Sequence, residues 1–133
     1  MHGIQEMLAT HPQPHNSAAI RRCVEECFTC AASCTSCADA CLADDNVGDL
    51  VACIRLDLDC ADICVATAKI LTRQTATPTA VVNHVLQACR EACQACAEEC
   101  ERHAEHHAHC RVSAEACRRC DRACEEALSS VAA

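Results

Sequence analysis

Cysteines at alternating steps of four and three run through most of this chain, and that spacing permits very few folds. Cys23, Cys27, Cys30, Cys34, Cys37 and Cys41 follow one another at steps of 4, 3, 4, 3 and 4. An α-helix repeats about every 3.6 residues, so these side chains share one helical face. Cys89, Cys93, Cys96 and Cys100 repeat the pattern, Cys117, Cys120 and Cys124 repeat it again, and Cys53, Cys60 and Cys64 give a sparser version. With Cys110 the chain holds 17 cysteines. Stripes of this kind turned towards one another make a core lined with thiols. One Phe and no Trp or Tyr means that cysteine and alanine take the positions that bulky side chains usually fill.

A chain of 133 residues suits one compact domain. The breakers are few: Gly3, Gly48, Pro12, Pro14 and Pro78. Between them Ala, Glu, Arg and Leu favour helix, so the fold class is all-α. Ser17 can cap a first helix running to about Ala43, and Asp44-Asp45-Asn46 supplies a turn and a new N-cap. A second helix then reaches about Arg73, and Thr77 followed by Pro78 at the first helical position opens the third. The register continues unbroken from Cys89 through Cys100, His103, His107 and Cys110 towards Cys117, which periodicity alone would allow as one long helix. Half the sulfur stripe of such a helix would have no partner. A turn between His103 and His109 is therefore expected, giving an antiparallel up-down-up-down four-helix bundle over residues 17–131, preceded by a short helical segment within 1–16.

Antiparallel order brings the turns at Asp44 to Gly48 and His103 to His109 to one end, a polar mouth with His103, His106, His107, His109, Asp44, Asp45 and Asp49. The other end is apolar, with Ile20, Ile70, Leu71, Val81, Val82, Val85, Leu86, Leu128 and Val131, and is expected to be a sealed base. Ile4, Met7 and Leu8 are placed to fold over it as a plug. The second helix carries an additional apolar stripe, Val47, Val51, Ile54, Leu58 and Val65, which either packs between neighbouring helices or serves self-association.

A formal charge of −8, with no basic cluster beyond Arg21-Arg22 and Arg118-Arg119, argues against nucleic acid and anionic membranes as partners and favours small cations. The first 16 residues have no basic and apolar signal pattern, Arg21-Arg22 leads into no apolar run, and no segment is apolar for long enough to span a bilayer. The expected compartment is the cytosol, where thiols stay reduced. Disulfides within a stripe are disfavoured: neighbours three or four apart sit about 5–6 Å apart at Cβ, whereas a disulfide needs roughly 3.5–4.5 Å. Thiol redox catalysis needs an activated Cys at a helix N-terminus, and the Cys-x-x-Cys pairs here lie well inside helices, so the chain is not expected to be an enzyme.

Cysteine as a small core hydrophobe accounts for two or three residues and not for 17, since Ala, Val or Leu would pack without oxidation. All of them are therefore candidate metal ligands. Zinc held by four thiolates carries a net charge of −2, costly in a core with little to offset it, and no glycine-containing knuckle accompanies the Cys-x-x-Cys pairs. Copper(I) is soft, accepts two or three thiolates, and at about one ion per cysteine leaves a nearly neutral interior. The expected cargo is many Cu(I) ions, stored or buffered; a general thiolate buffer for zinc or toxic soft metals is the alternative. His103 and His107 continue the sulfur register and are expected to receive incoming copper at the mouth. His106 and His109 fall off it and are expected to be solvated turn residues. Asp57 shares a face with Cys53, Cys60 and Cys64, which makes it either a hydrophilic uptake residue in the mouth half or a solvated position on a slightly rotated helix. Glu25-Glu26, Glu98-Glu99 and Glu125-Glu126 are expected on the outer faces.

The alternating stripes at Cys27 to Cys37 and Cys89 to Cys100, the four helices with inward cysteines and the His-rich turn after the third closely resemble the bacterial copper storage proteins, over residues 17–131. The absence of an export signal is similar to the cytosolic branch of that family. The resemblance implies a bundle whose lumen holds many Cu(I) ions on thiolates, assembled as a homotetramer. Asp57 interrupts the stripe of the second helix and departs from a full row of sulfur.

Overall fold

The computed structural model describes residues 2–12 and 17–132, and within them every regular element is helical. Pro14 and the rest of 13–16 lie outside the described residues. A short helix α1 (His2–Ala9) precedes four long ones: α2 (Ala18–Leu42), α3 (Val51–Thr72), α4 (Thr79–His103) and α5 (Ala108–Ala132). Strong packing joins α2 to α3 and α5, and α4 to α3 and α5, the arrangement of a four-helix bundle with short connections. At 25 residues, α2, α4 and α5 are each about 37 Å long. No helix of the described residues is long and apolar enough to cross a membrane.

Local chemistry sets the helix ends. Ser17 is extended, and its Oγ accepts from the Ile20 N–H at 3.2 Å, a side-chain N-cap. The same hydroxyl meets Ser130 Oγ at 2.6 Å, tying the start of α2 to the end of α5. After α2, Asp44 Oδ1 accepts from the Asn46 N–H, and a 3-10 turn over Val47–Leu50 leads into α3. Asn46 makes no side-chain cap bond, so the Asp-Asp-Asn run supplies the turn but not the cap expected of it. At α4 the N-cap is Pro78 itself, and helical geometry starts at Thr79, one residue later than Thr77-Pro78 suggested. The Pro78 carbonyl accepts from the Val81 and Val82 N–H groups at 3.0 and 3.2 Å, so its ring precedes the first turn without blocking it. The turn that separates α4 from α5 spans residues 104–107, within the stretch where the unpartnered stripe required it.

Sulfur and methyl groups fill the long axis of the bundle, whereas bulk is kept for its ends. All 17 cysteines are buried, with Ala31, Ala38, Ala61, Ala68, Ala97, Ala114, Ala123 and Ala127 in the seams between helices. Leu50, Leu86 and Val24 are the largest fully buried side chains. Leu86, Ile20 and Leu71 close the base, where α1 adds Leu8, and Ile4 packs against the same cluster. The Gln74 side-chain amide donates to the Leu8 carbonyl at 3.1 Å, and that of Gln5 to the Arg21 carbonyl and to Glu25 Oε2. Met7, which shares the expected plug face, instead projects into solvent at 67% exposure. Leu50, beneath the 3-10 turn, gives the mouth end an apolar floor that its polar composition did not announce.

On the outside, Arg118 grips Glu101 through two bonds of 2.8 and 3.0 Å, and Arg90 holds Asp121 at 2.8 Å, clasping α4 to α5. The second apolar stripe of α3 is uncovered within one chain: Val51 is 62% and Leu58 46% exposed, while Ile54 and Val65 are partly buried against the core.

Because bulk is concentrated at the ends, truncation there should be costly. Leu86→Ala is expected to destabilise the reduced, metal-free protein by about 2–5 kcal/mol in a urea melt. Val112→Ala, on a half-exposed side chain, should stay within about 0.5 kcal/mol.

Candidate metal centre

The four stripes meet on the bundle axis, and sulfur touches sulfur across it. Neighbouring helices are linked by Cys30–Cys117 at 3.8 Å, Cys34–Cys117 at 3.5 Å, Cys23–Cys124 at 3.6 Å, Cys53–Cys100 at 3.4 Å and Cys60–Cys93 at 3.8 Å. Diagonal helices are linked as well, by Cys27–Cys89, Cys34–Cys96 and Cys64–Cys120, each at 3.9 Å. All 17 cysteines are free thiols. Several quartets have all four sulfurs within 4.8 Å of one another: Cys27, Cys89, Cys120 and Cys124; Cys30, Cys64, Cys93 and Cys120; Cys30, Cys34, Cys60 and Cys117. Cys30 and Cys120 each belong to two of these, so the donors form a continuous ladder instead of separate cups.

Towards the mouth the ladder stops being pure sulfur. Asp57 is 0% exposed, which removes the solvated alternative for this residue. Its Oδ1 accepts from Cys96 Sγ at 3.1 Å, Ser113 Oγ at 3.2 Å and Cys100 Sγ at 3.6 Å, and Oδ2 faces Cys53 Sγ at 3.8 Å. Burial first, and then the charge that Cys37 would carry, push the carboxyl up to about 8. At neutral pH Asp57 is thus a protonated acid among thiols. Ser113 was not singled out from the sequence, yet it occupies the position between Cys110 and Cys117 that completes the steps of three and four on α5. It is buried and also donates to Cys34 Sγ at 3.7 Å.

His109 corrects the expectation of a solvated turn residue. It sits on the first turn of α5, and its Nδ1 lies 3.4 Å from Cys37 Sγ, 3.6 Å from Cys110 Sγ and 3.9 Å from Cys41 Sγ. These four residues form a further group with donors within 4.8 Å of one another, and Cys37, Cys41, Cys53 and Asp57 form another. Burial, and next the neighbouring Cys37, push the Cys41 thiol up to about 12; burial likewise raises Cys110. His106 is exposed.

His103 and His107 are both partly buried and flank this group on the outer side. The His103 ring pairs with Glu99 Oε2 at 2.9 Å on its own helix, and His107 Nδ1 with Asp44 Oδ2 at 2.7 Å across the mouth. The His107 ring centroid lies 6.4 Å from that of His103 and 5.6 Å from that of His109, a row leading inwards. Glu99 is therefore not an outer-face charge: its side chain is 12% exposed and held against His103 and Arg102. The Asn46 N–H first, and then His107 and His109, hold the Asp44 carboxyl below its ordinary value. Asp44 so provides a fixed anion where the histidines converge.

The family model of the copper storage proteins matches residues 16–129. Ccsp of Streptomyces lividans, solved loaded with 10 copper equivalents, is 51% identical with a TM-score of 0.90, over 95% of this chain and 98% of that one. A structure of a cytosolic copper storage protein from the same organism with five coppers is 57% identical with a TM-score of 0.82, over 84% and 92%. The Cu(I)-bound copper storage protein BsCsp3 is 34% identical with a TM-score of 0.74, over 83% and 98%. An uncharacterised cysteine-rich protein of Bacillus subtilis, YhjQ, is 37% identical over 72 residues, which are 50% of this chain and 65% of that relative's length. Since the match runs from before the Ser17 cap almost to the end of α5 and takes in every stripe, this chain belongs to the copper storage protein family.

Proposed function

We propose that this protein stores and buffers Cu(I) in the cytosol, on thiolates along the axis of its bundle. The observation that carries the reading is the sharing of donors, with Cys30 and Cys120 each standing in two quartets. Four-coordinate zinc in one quartet would deprive the next of a ligand, and each zinc with four thiolates would bury a net charge of −2. Copper(I) takes two or three sulfurs and lets one thiolate bridge two ions, so a continuous ladder can fill without building up charge. Each thiol releases its proton to solvent as copper arrives, and loading becomes more favourable as pH rises. Many sites of similar chemistry supply capacity, not catalysis. The copper contents of the Streptomyces structures, 10 equivalents and five, are consistent with partial stages of such filling.

The ligands in this reading are the 17 cysteines, joined at the mouth by Asp57 and His109. His103 and His107 receive the incoming ion and pass it inwards, supported by the row of rings and by Glu99 and Asp44 behind them. Residues 1–16 act as a leader that seals the base, supported by the burial of Leu8 and its bond from Gln74. The chain works as a homo-oligomer, a tetramer by family resemblance, and the uncovered stripe of α3 offers a face for it.

Anaerobic titration of the reduced protein against a Cu(I)-competing chelator should reach on the order of one Cu(I) per cysteine. Zinc in parallel should stop at no more than about one ion per four cysteines. A copper endpoint no higher than that of zinc would remove the storage reading. Replacing His103 and His107 together with Ala should slow loading severalfold in stopped-flow while leaving the endpoint nearly unchanged; wild-type kinetics would remove their receiving role.

The buried Asp57 gives the metal-free bundle its own pH dependence. The unfolded chain loses this proton near 3.8, and the folded chain keeps it to about 8. The folded state therefore binds the extra proton, so the stability linked to this group is fully present below about 3.8 and is lost as pH rises through about 8. Denaturant melts of metal-free protein across that window should show the decline, and Asp57→Asn should flatten it. Parallel slopes in the two proteins would contradict a protonated Asp57.

A further inference from the structure

The mouth group differs from the lumen quartets in donor set, charge and surroundings. We propose that Cys37, Cys41, Cys110 and His109 form a discrete tetrahedral site for one Zn2+ ion in the copper-free protein, with Asp44 as the positioning residue behind the histidine. The metal distances typical of zinc are about 2.3 Å to sulfur and about 2.0–2.1 Å to nitrogen; tetrahedral angles then put sulfur and nitrogen about 3.5 Å apart. The three thiols lie 3.4, 3.6 and 3.9 Å from His109 Nδ1, already close to that spacing, and all four donors fall within 4.8 Å of one another. Three cysteines with one histidine make a common zinc donor set.

A second observation points the same way. His109 Nε2 is out of solvent with no hydrogen-bond partner, and a carboxylate oxygen, Asp44 Oδ2, is 3.6 Å away. An ion on Nδ1 fixes the tautomer that carries its proton on Nε2, and a small shift of the ring brings that N–H onto Asp44. This is the carboxylate–histidine–zinc relay by which zinc-binding histidines are oriented. Asp44 is anchored for the role by the Asn46 N–H and by His107.

Charge separates this site from those deeper in the bundle. Three thiolates, a neutral imidazole and Zn2+ leave a net −1 instead of −2, and the three thiol protons go to solvent. The site is also reachable from the side. An open depression between α2 and α5, lined by Ser33, Ser36, Cys37, His109, Val112 and Ser113, brings solvent up to two of its four residues, Cys37 and His109. Zinc there would pin the end of α2 to the start of α5 across the mouth, and Cu(I) would have to displace it to use Cys37, Cys41 and Cys110. The inference rests on the mouth geometry and goes beyond the copper reading.

Reduced, metal-free full-length protein titrated anaerobically with Zn2+ against a chromophoric chelator should show one tight equivalent per chain. Co2+ should give one equivalent with the intense visible bands of a tetrahedral thiolate site. His109→Ala should abolish the tight phase and those bands with an unchanged far-UV CD spectrum. Asp44→Asn should weaken Zn2+ about 10–100-fold while keeping the Co2+ band pattern. Adding Cu(I) to the zinc form should release one zinc per chain to the chelator. Unchanged zinc affinity in His109→Ala, or a single phase of several equal ions per chain, would place zinc in the lumen quartets and overturn the mouth site; unchanged affinity in Asp44→Asn would remove the relay. A Cu(I) titration of the wild type, run beside these, reports on storage separately: it can succeed while the zinc site fails, and the reverse.

Discussion

The convergence of small, polarisable side chains on one axis governs everything else in this bundle. A thiol is little larger than a methyl group, so helices that pack through Cys and Ala come close enough for sulfurs of opposite helices to meet at 3.9 Å. Such a core loses the large apolar area that Leu and Phe usually provide. The compensation is spatial. Leu86, Ile20 and Leu71 at the base and Leu50 below the mouth concentrate the bulky apolar contacts at the two ends, where they do not obstruct the ladder between them.

Protonated thiols are also electrostatically quiet, so a row of them adds no charge to the interior. Burial opposes ionisation of a thiol and a nearby cation favours it, while hydrogen bonds from neighbouring thiols, Cys124 and Cys117 first, draw Cys23 and Cys34 down to about 5. Protonation, copper content and interior charge are therefore coupled at every rung. Asp57 obeys the same rule with a different atom: an acid that would be ionised in water is kept protonated by its burial and donates or accepts as its thiol and hydroxyl neighbours require.

The stripes are legible in the sequence because a period of three and four is a strong constraint, and a packing argument locates the α4–α5 break that periodicity alone leaves open. The features that escape such reading do so for physical reasons. Ser113 lies in plain register between Cys110 and Cys117, but a search for sulfur passes over a hydroxyl that fills one rung in the same way. The phase of His109, one residue before Cys110, points to solvent. At a helix start there is no preceding turn to hold a ring away, so the imidazole leans back over Cys37 and Cys41 on α2. Glu99 reads as one of an outward pair, although its i,i+4 relation to His103 is visible in the sequence. The burial of Leu50 depends on a 3-10 turn that no periodicity signals.

The change of donors along the axis then explains why the mouth and the lumen need different residues. An ion arriving from solvent carries water or a small ligand, and exchange is easiest where imidazole and carboxylate can replace part of that shell. Histidine bridges the two regimes, because it accepts copper and zinc alike and remains tolerable when partly exposed. Deeper in, the donors of the quartets are all soft sulfur, which suits Cu(I) better than hard cations. The transition falls on a few residues: His109 against Cys37, Cys41 and Cys110, Asp57 against Cys53, Cys96 and Cys100, and Ser113 against Asp57 and Cys34. A ladder of cysteine continued unbroken to the surface would bind as tightly but would expose thiols to oxidants and offer no graded step for exchange. Mixed donors at the end opposite the apolar base make the two ends of the bundle chemically distinct, one polar and donor-rich and the other given to packing.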